Sequence, residues 1–129
     1  MCIRDRLHAV RAGKPNHGAD SVQHALASLD KAELPRRVVI DASHDNSGKD
    51  HLQQPLTADE IATQVEAGEA GIVGVMLESF LVEGRQNAPN TSALVYGQSI
   101  TDACMGWDTT VPVLQRLAEA VRQRREVTR

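Results

Sequence analysis

Residues 38–44 read Val-Val-Ile-Asp-Ala-Ser-His, and residues 72–78 read Ile-Val-Gly-Val-Met-Leu-Glu. Each stretch is a short apolar run that stops at a side chain able to bind a metal or transfer a proton. One amphipathic stretch of helical length separates them, which predicts consecutive β-α-β units of a parallel sheet. Because the carboxyl ends of neighbouring parallel strands meet at one edge, His44 and Glu78 are expected to lie together, as in an enzyme.

The pattern continues in both directions along the chain. Leu7 to Val10 predicts the end of an earlier strand, and Asp20 or Ser21 is expected to cap the helix that follows. Residues 79–107 are expected to form a long connection. The resulting order is β-α-β-α-β-loop-α, about three units. Because a closed eight-stranded α/β barrel needs roughly 250 residues, the chain is either a small open α/β domain or the end of a larger barrel.

Capping signals predict where the two later helices begin and end. Thr57 and Glu60 form a T-x-x-E pattern ahead of apolar residues, and Gly68 stands where a helix commonly ends. Thr110 is expected to open the last helix, which places Pro112 in its first turn, where proline is tolerated.

Composition limits the functional classes. The chain has 129 residues and a net charge of −3, which favours neither a nucleic acid nor a membrane surface as partner. No apolar run approaches the ~20 residues needed to span a bilayer. The cysteines, Cys2 and Cys104, are too few for a disulfide framework and fit a cytoplasmic protein.

The first six residues, Met1 to Arg6, join awkwardly to the rest of the chain. Their back-translation matches a transposon-end adapter used in DNA library preparation. We therefore expect residues 1–6 to be non-native and the native chain to begin near Leu7, so Cys2 receives no functional weight.

Three side chains at predicted strand or turn ends could form a metal site. His44, Glu78 and Asp102 offer one nitrogen and two oxygen ligands, which suits a divalent ion such as Mn, Fe, Co or Zn. Taken alone, Asp102 is better explained as a helix cap. Arg11 and Lys14 lie near a glycine and could bind an oxyanion or phosphate, although a solvated basic loop is the alternative.

Three ordered motifs resemble one enzyme family. They are Asp41-x-Ser43-His44-x-Asn46-Ser47-x-Lys49, Met76-x-Glu78-Ser79-x-x-x-Glu83-Gly84-x-Gln86, and Tyr96-Gly97-x-Ser99-Ile100-Thr101-Asp102-Ala103-Cys104-x-x-Trp107. Together they are similar to class I 3-deoxy-D-arabino-heptulosonate 7-phosphate (DAHP) synthase. The resemblance runs from about His8 to the C-terminus.

The resemblance implies that residues 7–129 are the C-terminal portion, about three β/α units, of a single (β/α)8 barrel domain that is not closed in this chain. It implies condensation of phosphoenolpyruvate with erythrose 4-phosphate, the first step of the shikimate pathway, by a cytoplasmic homo-oligomer. His44, Glu78 and Asp102 correspond to three of four metal ligands, His44 and Asp102 also to catalytic residues, and Asp102 further to a substrate contact. Arg11 and Lys14 correspond to a phosphate-binding loop. The fourth ligand is a cysteine on an early strand that this chain lacks.

Departures from the family pattern bear on activity. Ala12 replaces a glycine of the phosphate loop, one residue is missing between Lys14 and Pro15, and His17 stands where tyrosine is usual. The first five strands, with most substrate-binding cations, are also absent. The isolated chain is therefore expected to be inactive; the alternative function is a truncated α/β fragment with at most weak metal or phosphate binding.

Overall fold

A parallel three-stranded sheet forms the centre of the fold. The computed structural model describes residues 7–8, 14–88 and 93–127. The strands are β1 (Leu7–His8), β2 (Val38–Asp41) and β3 (Ile72–Met76), in the order β1-β2-β3. In the register of β2 and β3, Asp41 is opposite Met76, so both strands end at the same edge. The predicted parallel β-α-β arrangement is confirmed.

Helices connect the strands and cover the sheet. They are α1 (Ala19–Lys31), α2 (Gln54–Glu66) and α3 (Trp107–Val127). A short 3-10 turn (His44–Ser47) follows β2. Helix α3 packs on α2, and Arg116 of α3 forms ion pairs with Asp59 at 2.7 Å and Glu66 at 2.8 Å. None of the helices within the described ranges is long and apolar enough to cross a membrane.

One apolar core lies between the sheet and the helices. Its β-branched and leucine side chains come from α1, α2, α3 and both longer strands, because each element turns one apolar face inward. Its buried members larger than alanine are Val22, Leu26, Val38, Ile40, Ile61, Val65, Ile72, Met105 and Val113.

The predicted starts of α1 and α2 were wrong by up to one turn. Helix α1 begins after Gly18, whose carbonyl accepts the Val22 N–H at 3.0 Å, so Asp20 lies in the first turn instead of capping it. Helix α2 begins at Gln54, and Thr57 is a buried residue inside it. Its hydroxyl donates to the Asn46 carbonyl at 3.3 Å, which explains why a threonine stands there without a capping role. Gly68 does follow the helix end, with φ of +107°.

The prediction for α3 was also wrong. The helix begins at Trp107 because the Gly106 carbonyl accepts bonds from the Thr110 N–H at 3.0 Å and the Thr110 hydroxyl at 2.9 Å. Pro112 therefore lies inside the helix, where it cannot donate a backbone hydrogen bond to the carbonyl four residues earlier.

The connection between β3 and α3 contains two strands that the sequence did not predict. Strands β4 (Val82–Arg85) and β5 (Gln98–Ser99) form a small parallel sheet of their own. Gly84 and Gly97 both have φ of +81°, a conformation that glycine adopts without strain. The Gly84 N–H donates to the Cys104 carbonyl at 2.8 Å, which ties the segment after Asp102 to the small sheet. The Met105 N–H donates to the Glu78 carbonyl at 2.9 Å, which ties the same segment to the end of β3.

Candidate metal centre

The turn after β2 fixes the orientation of His44. Asp41 is the last residue of the strand, and its Oδ1 accepts the Ser43 N–H at 2.8 Å and the Ser43 hydroxyl at 2.5 Å. Its Oδ2 lies 2.7 Å from His44 Nδ1. One carboxylate thus holds both the backbone of the turn and the imidazole ring.

The backbone of this turn adopts a left-handed conformation at His44, with φ of +48°, and again at Gly48 and Lys49. Such a φ is uncommon for residues other than glycine and persists where surrounding bonds hold it. Here the Lys49 N–H donates to the His44 carbonyl at 2.6 Å. The buried Asn46 amide donates to the Asp41 carbonyl at 2.7 Å, which ties the turn to the strand end.

Glu78 follows the end of β3 and is held by its backbone. Its N–H donates to Oε1 of Gln54 at 2.9 Å, and its carbonyl accepts the Met105 N–H at 2.9 Å. The Cys104 thiol lies 3.8 Å from Glu78 Oε2 and donates to it. The side chain of Glu78 is about one-third exposed, so its carboxylate faces both the protein and the solvent.

Asp102 lies in the turn after β5 and reaches His44 from the small sheet. Its Oδ2 is 3.7 Å from His44 Nε2, while Glu78 Oε1 is 3.6 Å from the same nitrogen. Helix α3 begins only at Trp107, so Asp102 does not cap it. The structure brings together all three side chains that the sequence predicted.

The spacing of these three side chains fits a divalent metal. One ligand atom from each of His44, Glu78 and Asp102 lies within 4.8 Å of the others. Metal–ligand bonds of about 2.0–2.2 Å separate neighbouring ligand atoms by about 2.8–3.1 Å in octahedral sites and about 3.3–3.6 Å in tetrahedral sites. The observed 3.6 and 3.7 Å are close to that separation. One nitrogen and two carboxylates suit Mn, Fe, Co or Zn.

The electrostatics of the site are dominated by its carboxylates. The hydrogen bond with Asp41 raises the pKa of His44; burial opposes this shift, and the charges of Asp41, Glu78 and Asp102 reinforce it. Burial raises the pKa of the Cys104 thiol, so this residue is a neutral donor beside Glu78. Three carboxylates around one imidazole form an environment that favours a cation.

Other residues complete the cavity around His44. It is lined additionally by Ser43, Ser47, Lys49, Gln54 and Ala103. Sequence reasoning missed Gln54 because its neighbour Gln53 is chemically identical, and only the fold shows which of the two is buried. It also gave Asp41 no role of its own, although an acidic residue closing a buried strand was a usable signal.

The candidate phosphate loop is described only in part. Arg11 lies outside the described residues, and Lys14 is exposed and does not line the cavity around His44. The segment just after Lys14 is hydrogen-bonded to the site through Asn46, whose Oδ1 accepts the Asn16 N–H at 2.7 Å. His17, which the sequence left without a partner, lies 2.8 Å from Glu60 through Nε2.

The fold and the site together define a class, namely α/β proteins with a candidate divalent-metal centre at the carboxyl edge of a parallel sheet. Comparison with known proteins narrows this class to one family. A sequence model of the DAHP synthetase I family matches residues 5–115, and the chain belongs to that family.

Named relatives agree with this assignment. The chain is 49% identical over 129 residues to the tyrosine-inhibited phospho-2-dehydro-3-deoxyheptonate aldolase of Schizosaccharomyces pombe, which covers 95% of this chain and 35% of that protein. It is 46% identical to the Phe-sensitive aldolase of Escherichia coli K12, covering 90% of this chain and 33% of that protein. A solved aldolase structure from Francisella tularensis SCHU S4 superposes with a TM-score of 0.86 at 41% identity, covering 92% of this chain and 34% of the other. The chain thus spans about a third of the length of these relatives.

Proposed function

We propose that this chain is three consecutive β/α units, the C-terminal ones, of a (β/α)8 barrel DAHP synthase. In the full-length form, C3 of phosphoenolpyruvate joins the aldehyde carbon of erythrose 4-phosphate. Water adds at C2, and inorganic phosphate leaves by C–O cleavage. The parent is proposed to work in the cytoplasm as a homo-oligomer. The family membership and the names of the relatives support this activity.

The single observation that carries the proposal is the convergence of His44, Glu78 and Asp102 at one strand edge. These residues would hold a divalent cation, His44 through Nε2 and the other two through carboxylate oxygens. The chemistry that such a cation supplies when bound is Lewis-acid polarisation of the aldehyde oxygen. Asp102, whose side chain is 66% exposed, has an open side from which to contact a hydroxyl group of the sugar phosphate.

The basic side chains of this region are proposed to bind the phosphate group of the substrate. Lys49 lines the cavity beside His44, and Lys14 belongs to a segment that Asn46 fastens to the turn carrying His44. Arg11 is proposed to act with Lys14 on the phosphate of phosphoenolpyruvate. Guanidinium and ammonium groups bind phosphate by charge-assisted hydrogen bonds and stabilise it as it leaves.

A second candidate is that the isolated chain is an inactive fragment that binds metal or phosphate weakly. The open sheet favours this alternative, because β1 and β3 each pair with β2 only among the described residues. The relatives are about three times longer, and a cysteine ligand on an early strand is absent here. We therefore expect no turnover from the 129 residues alone.

A chimera tests the proposed activity directly. Residues 14–127 would replace the matching third of the Phe-sensitive E. coli relative, and phosphate release would be followed with both substrates and Mn²⁺. Turnover is expected from the chimera and not from the isolated chain. The variant His44→Ala should abolish it, because the metal site loses its nitrogen ligand.

The exposed residue His24 of α1 provides the matched control, since His24→Ala removes an imidazole that does not line the cavity around His44. A folded chimera without turnover, or one whose activity survives His44→Ala, would contradict the proposal. Turnover by the isolated chain would instead contradict its assignment as an incomplete barrel.

A further inference from the structure

Asp41 stands directly behind the imidazole of His44, on the side away from the other two carboxylates. Its side chain is buried, and its oxygens contact three donors, which are the Ser43 N–H, the Ser43 hydroxyl and His44 Nδ1.

The contacts of Asp41 determine which ring nitrogen of His44 carries the proton. An ionised carboxylate can only accept hydrogen bonds, so the 2.7 Å contact of Asp41 Oδ2 requires a proton on His44 Nδ1. The Ser43 hydroxyl, 2.9 Å from Nδ1, donates to Asp41 and can therefore accept from the ring as well. In the neutral ring, Nε2 is then left with a lone pair.

That lone pair faces the candidate metal position. His44 Nε2 lies 3.6 Å from Glu78 Oε1 and 3.7 Å from Asp102 Oδ2. A proton on Nε2 would occupy the position that a cation between these three atoms needs. The direction of the ring and its tautomer thus both follow from a carboxylate at the end of β2.

We propose that Asp41 is a positioning residue that holds His44 in the Nδ1–H tautomer and so makes Nε2 the metal-binding atom. The inference rests on the proposed metal site. A carboxylate or carbonyl behind a metal-binding histidine fixes the ring orientation, and its loss commonly weakens metal affinity by about 10- to 100-fold. The competing explanation is that Asp41 only stabilises the backbone turn through Ser43.

The variant Asp41→Asn separates the two explanations in the 129-residue chain. The asparagine oxygen can still accept the Ser43 N–H, so the turn remains bonded. Its NH₂ group then faces His44 Nδ1 and donates to it, which favours the Nε2–H tautomer. The measurement is ¹⁵N NMR of the histidine ring nitrogens in the metal-free protein, at alkaline pH where the rings are neutral.

We expect the wild-type chain to carry the His44 proton on Nδ1 and Asp41→Asn to carry it on Nε2. Mn²⁺ affinity, measured from the EPR signal of the free ion, is expected to fall about tenfold or more. The matched control is Asp45→Asn, which removes a neighbouring charge that forms no ion pair with His44. Asp45→Asn should keep the wild-type tautomer, and its Mn²⁺ affinity should stay within about threefold of the wild-type value.

The outcomes distinguish this inference from the proposed function. An Nε2–H tautomer in the wild-type chain overturns the role of Asp41 without any variant, even if Asp41→Asn does not fold. An unchanged tautomer in a folded Asp41→Asn overturns it as well. The tautomers could behave as expected while the wild-type chain binds no Mn²⁺. That result would contradict the proposed metal site in this chain and would still support the inference that Asp41 sets the tautomer of His44.

Discussion

Gln54 and Glu78 are joined by a hydrogen bond of 2.9 Å from the Glu78 N–H to the Gln54 Oε1. The bond connects the first residue of α2 to the end of β3, across 24 positions of sequence. Gln54 is only 1% exposed, so its amide was desolvated to make this contact. The backbone that carries one candidate ligand is therefore positioned by the start of a helix.

Replacing Gln54 should lower both stability and metal affinity. Gln54→Ala leaves the Glu78 N–H without its partner, which we expect to cost about 1–3 kcal/mol in the free energy of unfolding. Glu78 is then free to move away from His44. Urea denaturation and Mn²⁺ titration measure the two effects. Gln53→Ala is the matched control, because Gln53 is exposed and its side chain makes no capping bond; equal losses in both variants would contradict the prediction.

The stability of the metal-free chain should depend on the protonation of His44. Its hydrogen bond with Asp41 raises the pKa in the folded state above the ordinary 6.5. The charged imidazole therefore stabilises the fold fully below about pH 6.5, and this contribution disappears as pH rises through the higher folded pKa. We expect the urea midpoint to fall across that window and to fall less in His44→Gln.

A ring titration by NMR would locate the window for His44 itself. The exposed His24→Gln variant should retain the wild-type pH dependence, because His24 lies on the outer face of α1. An identical slope in wild type and His44→Gln would show that other groups produce the effect.

The side chain of Asn46 should control the mobility of the segment near Lys14. Its amide oxygen accepts the Asn16 N–H at 2.7 Å, and its NH₂ donates to Asn16 Oδ1 at 3.0 Å. Asn46→Ala removes both bonds and also the bond from the Asn46 NH₂ to the Asp41 carbonyl, so we expect faster hydrogen exchange at the Asn16 amide. Asn46→Asp keeps the acceptor and should accelerate exchange less. Equal exchange rates in the two variants would mean that another contact protects the amide.

We expect Gly71 not to tolerate a side chain, because the side chain of Leu26 occupies the space beside it. A Cβ at Gly71 would lie 2.6 and 2.7 Å from the two methyl carbons of Leu26, which is completely buried. We expect Gly71→Ala to destabilise the chain by about 1–3 kcal/mol, as overpacking commonly does. Gly74→Ala is the control, because its Cβ would lie 3.4 Å from Val39, an ordinary contact.

A double-mutant cycle checks the cause of this loss. Leu26→Ala alone should cost about 2–5 kcal/mol by leaving a cavity. The pair Leu26→Ala with Gly71→Ala should cost less than the sum, since the added methyl group occupies part of that space. Strict additivity in urea denaturation would contradict the packing argument.

The sequence predicted the two longer strands of the sheet because each lies in a continuous apolar run, a pattern typical of parallel strands. Val38 to Asp41 and Ile72 to Met76 are strands that lie within the two apolar stretches. The position of His44 beside Glu78 followed from the parallel topology alone. The barrel, in contrast, depends on strands that this chain does not contain, so it stays a prediction.

The helix starts and the small sheet could not be predicted from local patterns. Thr57 matched the first position of a capping box, but its hydroxyl donates to the carbonyl of Asn46, 11 residues earlier in the chain. Strands β4 and β5 are short and contain no buried residue, so they lack the apolar period on which strand prediction depends. Gln54 and Asp41 act through contacts that only the folded chain creates.

The packing of α3 against α2 has a consequence for the order of events during biosynthesis. The ribosome makes α2, β3 and the three candidate ligands before it makes α3, and Arg116 of α3 is the residue that pairs with Asp59 and Glu66. The apolar side of α2 that α3 covers is therefore uncovered while α3 is still being synthesised. A nascent chain halted before Trp107 would be the species most in need of a chaperone.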